Sequence, residues 1–205
     1  MLDTTLLSLF VPTFFLVSIS PGMCMTLALT LGMSIGVRKT LWMMAGELLG
    51  VATVAICAAI GVAGIVSKWP QLFIVLKIVG AAYLSYIGIA MLRARQGIVI
   101  SDPSKQTDIS RIGLFNQGLI TALSNPKGWI FMISLLPPFI NPELQFAPQL
   151  AALIVIILIS ELICMLIYAN GGKTLGRLLK NKGDLVINRI AGSLMLLVAI
   201  WLLFT

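Results

Sequence analysis

Ser124-Asn125-Pro126-Lys127-Gly128, the string SNPKG, stands inside an apolar run that reaches from Ile112 to Leu136. Eighteen or more apolar residues suffice to cross a ~30 Å hydrocarbon core at ~1.5 Å per residue, so the run has the length of a membrane helix. A proline inside such a helix removes an amide donor and collides with the carbonyl four residues earlier. A lysine at its centre costs ~2.5 to 3.5 kcal/mol even on the lenient insertion scale. One arrangement reconciles the two: a crossing broken near mid-depth, with its lysine facing a cavity rather than lipid. In lipid, irregular backbone survives only where protein or water meets it.

Composition agrees with a membrane setting. Of 205 residues, 59% are hydrophobic and 10% charged, against about a quarter charged in an ordinary soluble domain. The net charge of +7 is not read as a nucleic-acid surface, which needs a basic face on a soluble module. Basic clusters in short loops are what insertion of a multi-pass chain requires. Cys24, Cys57 and Cys164 are widely spaced in apolar sequence and form no redox pair or disulfide framework. Histidine is absent, which removes the commonest metal ligand and near-neutral acid/base. With no P-loop or dinucleotide glycine pattern either, no cofactor is expected and nucleotide-driven pumping is disfavoured.

Outward from SNPKG, hydropathy and breakers give six expected spans, at about 6–31, 40–66, 72–92, 112–136, 148–168 and 186–204. The opening Met1-Leu2-Asp3 has no basic stretch and no cleavage signal follows, so the first apolar run is expected to stay as the first span. The polar linker at about 93–111 separates two halves of three spans, about 1–92 and 112–205, within a single transmembrane domain. Arg38 and Lys39, then Arg93, Arg95, Lys105 and Arg111, then Lys173, Arg177, Lys180, Lys182 and Arg189 fall on one side; Lys68 and Lys77 fall toward the other. The basic loops are therefore expected in the cytoplasm and both termini outside.

An odd number of spans per half makes any duplication an inverted one. Leu9-Phe10 precedes Pro21 by the interval at which Leu114-Phe115 precedes Pro126, and Ser20-Pro21-Gly22 resembles Ser124-Asn125-Pro126. KIVGAAYL from Lys77 likewise resembles RIAGSLML from Arg189. Interrupted helices at matching positions of inverted halves point to a transporter's substrate site. The expected fold is therefore all-α, two inverted three-helix repeats with spans 1 and 4 broken at proline. Pro21 is expected to free the Val17 carbonyl and Pro126 that of Ala122.

Lys127, aided by the positive end of a half-helix, suits an anionic group such as a carboxylate. Glu47, in AGELLG, and Glu161, in LISELICM, are acids within spans. Either would pair with Lys127, hold a substrate ammonium, or take and release a proton, and Glu47 also fits an interfacial position. Gly32-x-x-x-Gly36 and Gly46-x-x-x-Gly50 permit close helix approach. Trp69 and Trp201 fit interface anchoring.

SPGM at 20–23, Gly32-x-x-x-Gly36 running into VRKTLWMMAGELLG, LKIVGAAYLSYIGIAMLR at 76–93, FNQGLITALSNPKGWIFMISLLPPFINP at 115–142 and NRIAGSLMLL at 188–197 together resemble, in order, the motifs of the LysE/RhtB amino-acid exporter family. The resemblance covers nearly the whole chain and is most specific at NPK and the LP-x-F that follows. It implies a carrier of the bacterial inner membrane that expels amino acids or close derivatives, driven by protons and not by ATP. It carries the family's S-P-G motif onto Ser20, Pro21 and Gly22, and its N-P-K motif onto Asn125, Pro126 and Lys127. The chain departs at Met23 and Cys24, where the family usually continues P-G-P with a polar residue, so that wall is less polar here.

The expected substrate-binding set is thus Ser20, Pro21, Gly22, Ser124, Asn125, Pro126 and Lys127, with Glu47 and Glu161 as proton-coupling or ammonium-binding groups. The expected partners are an amino-acid-like small molecule, protons and the lipid bilayer, with no nucleic acid; a homo-oligomer stays open. A membrane enzyme acting on a lipid or prenyl substrate is the alternative, disfavoured by the lack of histidine and scarcity of acids. A small channel or an assembly subunit is the third reading.

Overall fold

The computed structural model describes residues 3–20, 22–68, 70–93 and 109–178, and from the C-terminal stretch residues 189, 192–193, 196–197, 199–200 and 203. Pro21, Trp69, Trp201, most of the polar linker and most of the expected sixth span lie outside the described residues. Among those described, the chain is all-helical: α1 Thr4–Ser18, α2 Met23–Ser34, α3 Val37–Lys68, α4 Pro70–Arg93, α5 Arg111–Leu123, α6 Pro126–Leu135 and α7 Phe146–Leu178, with a 3-10 turn at Pro137–Phe139.

The puzzle of SNPKG resolves locally. Pro126 does not interrupt a helix; it starts one. It occupies the first turn of α6, while Asn125 caps that turn by accepting the Lys127 N–H at 3.1 Å. The first helical position tolerates proline because its amide would be unpaired anyway. Helices α5 and α6 meet at 54°, and α1 and α2, flanking the Ser20-Gly22 segment, meet at 60°. The carbonyls expected to be freed are already used: Val17 accepts from the Ser20 amide at 3.2 Å and the Ser20 hydroxyl at 2.6 Å, and Ala122 accepts from the Asn125 amide at 3.2 Å. The reason is that each first half-helix closes in a tight turn, whose shorter-range bonds capture the last carbonyls.

By length and composition, Val37–Val62 and Phe146–Gly171 are two membrane spans, and each bent pair taken as one span brings the number to as many as four among the described residues. Helix α7 shows what its outer face meets: Val155, Ile159, Ile163 and Ile167, at four-residue spacing, are all exposed. An apolar stripe on the outside of a well-packed helix suits lipid rather than water.

Small residues let the helices cross closely. A methyl group added at Gly46 of α3 would strike the Phe115 backbone of α5, and one at Gly118 of α5 would strike the Met43 backbone of α3. At Gly50 it would lie 2.6 Å from the Ala122 side chain. The Gly46–Gly50 pair thus does what its spacing promised. The other pair divides its labour: Gly32 of α2 fits against the Ala169 backbone of α7, whereas Gly36 has nothing within 4 Å and turns the chain into α3 with φ +81°.

The packing partners are exchanged between the halves. The α5–α6 pair lies on α3, the α1–α2 pair lies on α7, and α3 and α7 touch each other. Two apolar clusters result. One joins Phe10 and Phe14 of α1, Val54 to Ala59 of α3, Phe131 to Leu136 of α6 and Leu150 to Ile157 of α7. The second joins Met25 to Leu31 of α2, Met43 and Met44 of α3, Leu114 of α5 and Cys164 to Ala169 of α7. Along α3 and α7 alike, one acidic residue separates the clusters: Glu47 on the first, Glu161 on the second. Both helix breaks fall at the same level.

Candidate functional site

Between the two apolar clusters lies a cavity of about 70 Å³, room for a few water molecules. Its polar wall consists of Ser18, Ser20, Glu47, Asn125, Lys127 and Glu161, with Gly22, Cys24 and Gly128 beside them. Each comes from a break or from the middle of α3 or α7, so the level at which the helices are interrupted is the level at which polar side chains collect.

Lys127 stands in the first turn of α6 and donates from Nζ to the Ser20 hydroxyl at 2.6 Å. The Ser20 hydroxyl in turn donates a hydrogen bond to the Val17 carbonyl at 2.6 Å. The two breaks are thereby tied directly to one another. Gly22 lies beside the lysine head: a methyl group there would sit 3.7 Å from Nζ, in ordinary van der Waals contact. The backbone at Gly22 caps α2, and no side chain accepts from the first amides of that helix. A cation and a helix start with no side-chain cap among the described residues, with its partial positive charge, therefore line one cavity.

The two acids are held differently. Glu161 accepts the Ser18 hydroxyl at 3.0 Å on one oxygen. Glu47 is only 1% exposed, and its Oε2 is buried without a hydrogen-bond partner among the described residues. A buried carboxyl oxygen lacking a partner costs about 1 to 3 kcal/mol, a cost tolerated where a ligand or proton visits. Tyr168 of α7 donates to the Ile19 carbonyl at 2.9 Å, steadying the end of α1 just before the break. Across the other break, the Trp129 indole donates to the Leu123 carbonyl at 2.9 Å.

Of the residues singled out in the sequence, Ser20, Gly22, Asn125, Lys127, Glu47 and Glu161 all line this cavity. Ser124 and Pro126 are exposed and lie off its wall, serving instead as the end of α5 and the start of α6. Pro21 lies outside the described residues. Ser18 lines the cavity although nothing in the sequence marked it, and Cys24, which departs from the family motif, lines it too. Cys24 Sγ accepts from the Asn125 amide nitrogen at 3.9 Å, a long contact across the two breaks. The signal for Ser18 was its place one turn or less before a break, visible only once the break is accepted.

A family model described as LysE type translocator matches residues 15–205. Among individual relatives, a homoserine/homoserine lactone efflux protein of Salmonella typhimurium is 30% identical over 184 residues, covering 89% of this chain and 88% of that protein. A leucine efflux protein of Klebsiella pneumoniae is 32% identical over 124 residues, covering 59% and 57%. An uncharacterized membrane protein of Vibrio cholerae is 28% identical over 178 residues, covering 86% of each chain. No solved structure matches.

Proposed function

The chain belongs to the LysE type translocator family, and from that premise we propose that it expels amino acids or close derivatives from the cytoplasm as a proton-coupled secondary carrier. The relatives named for homoserine, homoserine lactone and leucine efflux support the substrate class. The carrier has six spans in the bacterial inner membrane, as two inverted repeats at about 1–92 and 112–205. The exchanged packing, α5–α6 on α3 and α1–α2 on α7, supports that repeat, because a two-fold relation in the membrane plane swaps partners in this way. The distribution of lysine and arginine supports cytoplasmic basic loops and outward termini.

One observation carries the reading: the Lys127 ammonium, bonded to Ser20, links two helix breaks inside a cavity that has apolar plugs on either side. Lys127 and the uncapped start of α2 receive the substrate carboxylate. The ammonium goes to a carboxylate of the wall, not to the carbonyls of Val17 and Ala122, which already accept hydrogen bonds. Glu47 and Glu161 supply one group for that ammonium and one for a proton taken from outside. Because each plug lies beyond the polar level in one direction, opening one while the other stays packed exposes the cavity to one side at a time. A proton entering from outside and leaving inside then biases the site toward emptying outward.

Export from vesicles tests this. Lys127→Met and Glu161→Gln are each expected to lose pH-gradient-driven transport. Original rates in both variants would overturn the assignment.

A further inference from the structure

The cavity wall is layered, and the layering specifies what kind of side chain the substrate carries. On α1, Phe14 stands one turn before Ser18. On α3, Val51 and Val54 stand one and two turns after Glu47; on α6, Phe131 and Met132 stand one turn after Lys127. All five line the cavity. The three helices place them toward the same end of the molecule, because Phe14, Val54, Phe131 and Met132 share one cluster with Phe10 and Phe139, whose rings lie 4.9 Å apart. Four residues of helix rise ~6 Å, so an apolar layer begins one side chain's length from the polar level.

We propose that this layer is the side-chain subsite and that it selects neutral amino acids with apolar side chains. The inference rests on the exporter reading and adds its specificity. With the α-carboxylate at Lys127 and the α-ammonium at a glutamate, the side chain projects into the space bounded by Phe14, Val51, Val54, Phe131 and Met132. No lining residue of that layer is charged. A substrate cation such as that of lysine would lie there unpaired, and so would a second carboxylate; stripping water from either without a partner is far costlier than burying methylenes is favourable. Both acids of the wall stand at the polar level, where the α-ammonium and the proton use them.

Purified full-length protein in proteoliposomes loaded with leucine decides the matter by counterflow. Labelled leucine is expected to enter at least roughly tenfold faster than labelled lysine or glutamate at equal concentration, and faster than alanine, which fills less of the layer. Val54→Phe, which fills the subsite without adding charge, is expected to turn the preference from leucine toward alanine. Lysine or glutamate exchanging as fast as leucine in the unaltered protein would overturn the apolar subsite and leave the exporter reading standing. Exchange of no amino acid at all would overturn the exporter reading, and the subsite with it.

Discussion

Lys127 reaches Ser20 across 2.6 Å and thereby joins a residue at the start of α6 to one at the end of α1. Neither partner sits in a regular helix interior at the contact, so the bond depends on both breaks having formed. If the lysine is the carboxylate's partner, Lys127→Met removes a sheltered charge from the ligand, an effect of about 2 to 5 kcal/mol in comparable buried pairs. Export is expected to fall by roughly thirtyfold or more. Ser20→Ala removes one hydrogen bond to a charge and is expected to cost less, roughly tenfold. Initial rates in vesicles compare the two; a larger loss in the serine variant would show that the lysine's charge is not what matters.

Helix crossing at Gly46 and Gly118 leaves no room for a methyl group, since each position faces the other helix's backbone. Gly46→Ala and Gly118→Ala are expected to destabilise by about 1 to 3 kcal/mol each, as overpacking does. Gly61, further along α3, has nothing within 4 Å among the described residues, and Gly61→Ala is expected to be neutral or stabilising by up to about 1 kcal/mol through helix propensity. Unfolding midpoints in detergent test the contrast. Equal effects at all three positions would mean that α3 and α5 are not in backbone contact.

Gly36 isolates a conformational effect, because its φ is +81° and no neighbour among the described residues would meet a side chain. Gly36→Ala is expected to cost about 1 to 2 kcal/mol through left-handed backbone alone, and Gly36→Asn less, since asparagine visits that region more readily. A thermal shift series over glycine, asparagine and alanine checks the order; alanine equalling glycine would mean the turn takes another conformation.

How much of this was legible beforehand follows from what each feature depends on. The breaks were readable because proline and lysine violate a local rule of membrane helices at a definite place, and a violation needs no partner to be noticed. The fate of the Val17 and Ala122 carbonyls was not, because it depends on whether the chain continues through the proline or closes in a turn before it. Ser18 has no periodic signature, and only the docking of α7 against α1 brings it to Glu161. Gly118 looks like a lone glycine in GLITAL until α3 lies across it. Glu47 illustrates the limit of reading one helix at a time: its burial to 1% comes from neighbouring helices that its own segment cannot supply.

Asp3 offers a pH-dependent anchor far from the cavity. Its carboxylate caps α1, accepting the Leu6 and Thr5 amides at 3.1 Å each, and accepts the Asn141 side chain at 3.2 Å, so α1 is tied to the loop before α7. The Leu6 amide first, then Asn141, hold its pKa below the usual carboxylate value. A depressed folded pKa gives a contribution present above the unfolded value and lost as pH falls through the folded one. The unfolding midpoint of Asp3→Ala is therefore expected below that of the unaltered protein at neutral pH, with the gap closing on acidification. A gap that stays constant with pH would assign the effect to helix propensity rather than to the charge.

The two acids of the wall have different surroundings. Glu161 accepts from Ser18 at 3.0 Å, whereas the Glu47 carboxyl meets the Cys24 thiol and its Oε2 is buried with no hydrogen-bond partner among the described residues. An oxygen left open in a cavity is the one positioned to accept a donor that arrives and leaves with each cycle; a carboxyl already hydrogen-bonded keeps its place whether or not it carries a proton. In the carrier proposed above, Glu47 would then take the substrate ammonium and Glu161 the proton. Exchange of substrate for substrate moves no net proton, but gradient-driven export does, so the two assays report on the two roles. Glu161→Gln is expected to keep leucine counterflow within a fewfold of the original rate while losing the response to an imposed pH gradient. Glu47→Gln is expected to raise the half-saturating substrate concentration in both assays by roughly tenfold or more, the effect of removing a charged hydrogen-bond partner. Ser18→Ala frees the second carboxyl and is expected to shift the pH at which driven export is half-maximal without abolishing counterflow. If Glu47→Gln instead uncouples while Glu161→Gln weakens binding, the roles are exchanged; if neither variant loses the pH response, proton coupling does not run through this cavity.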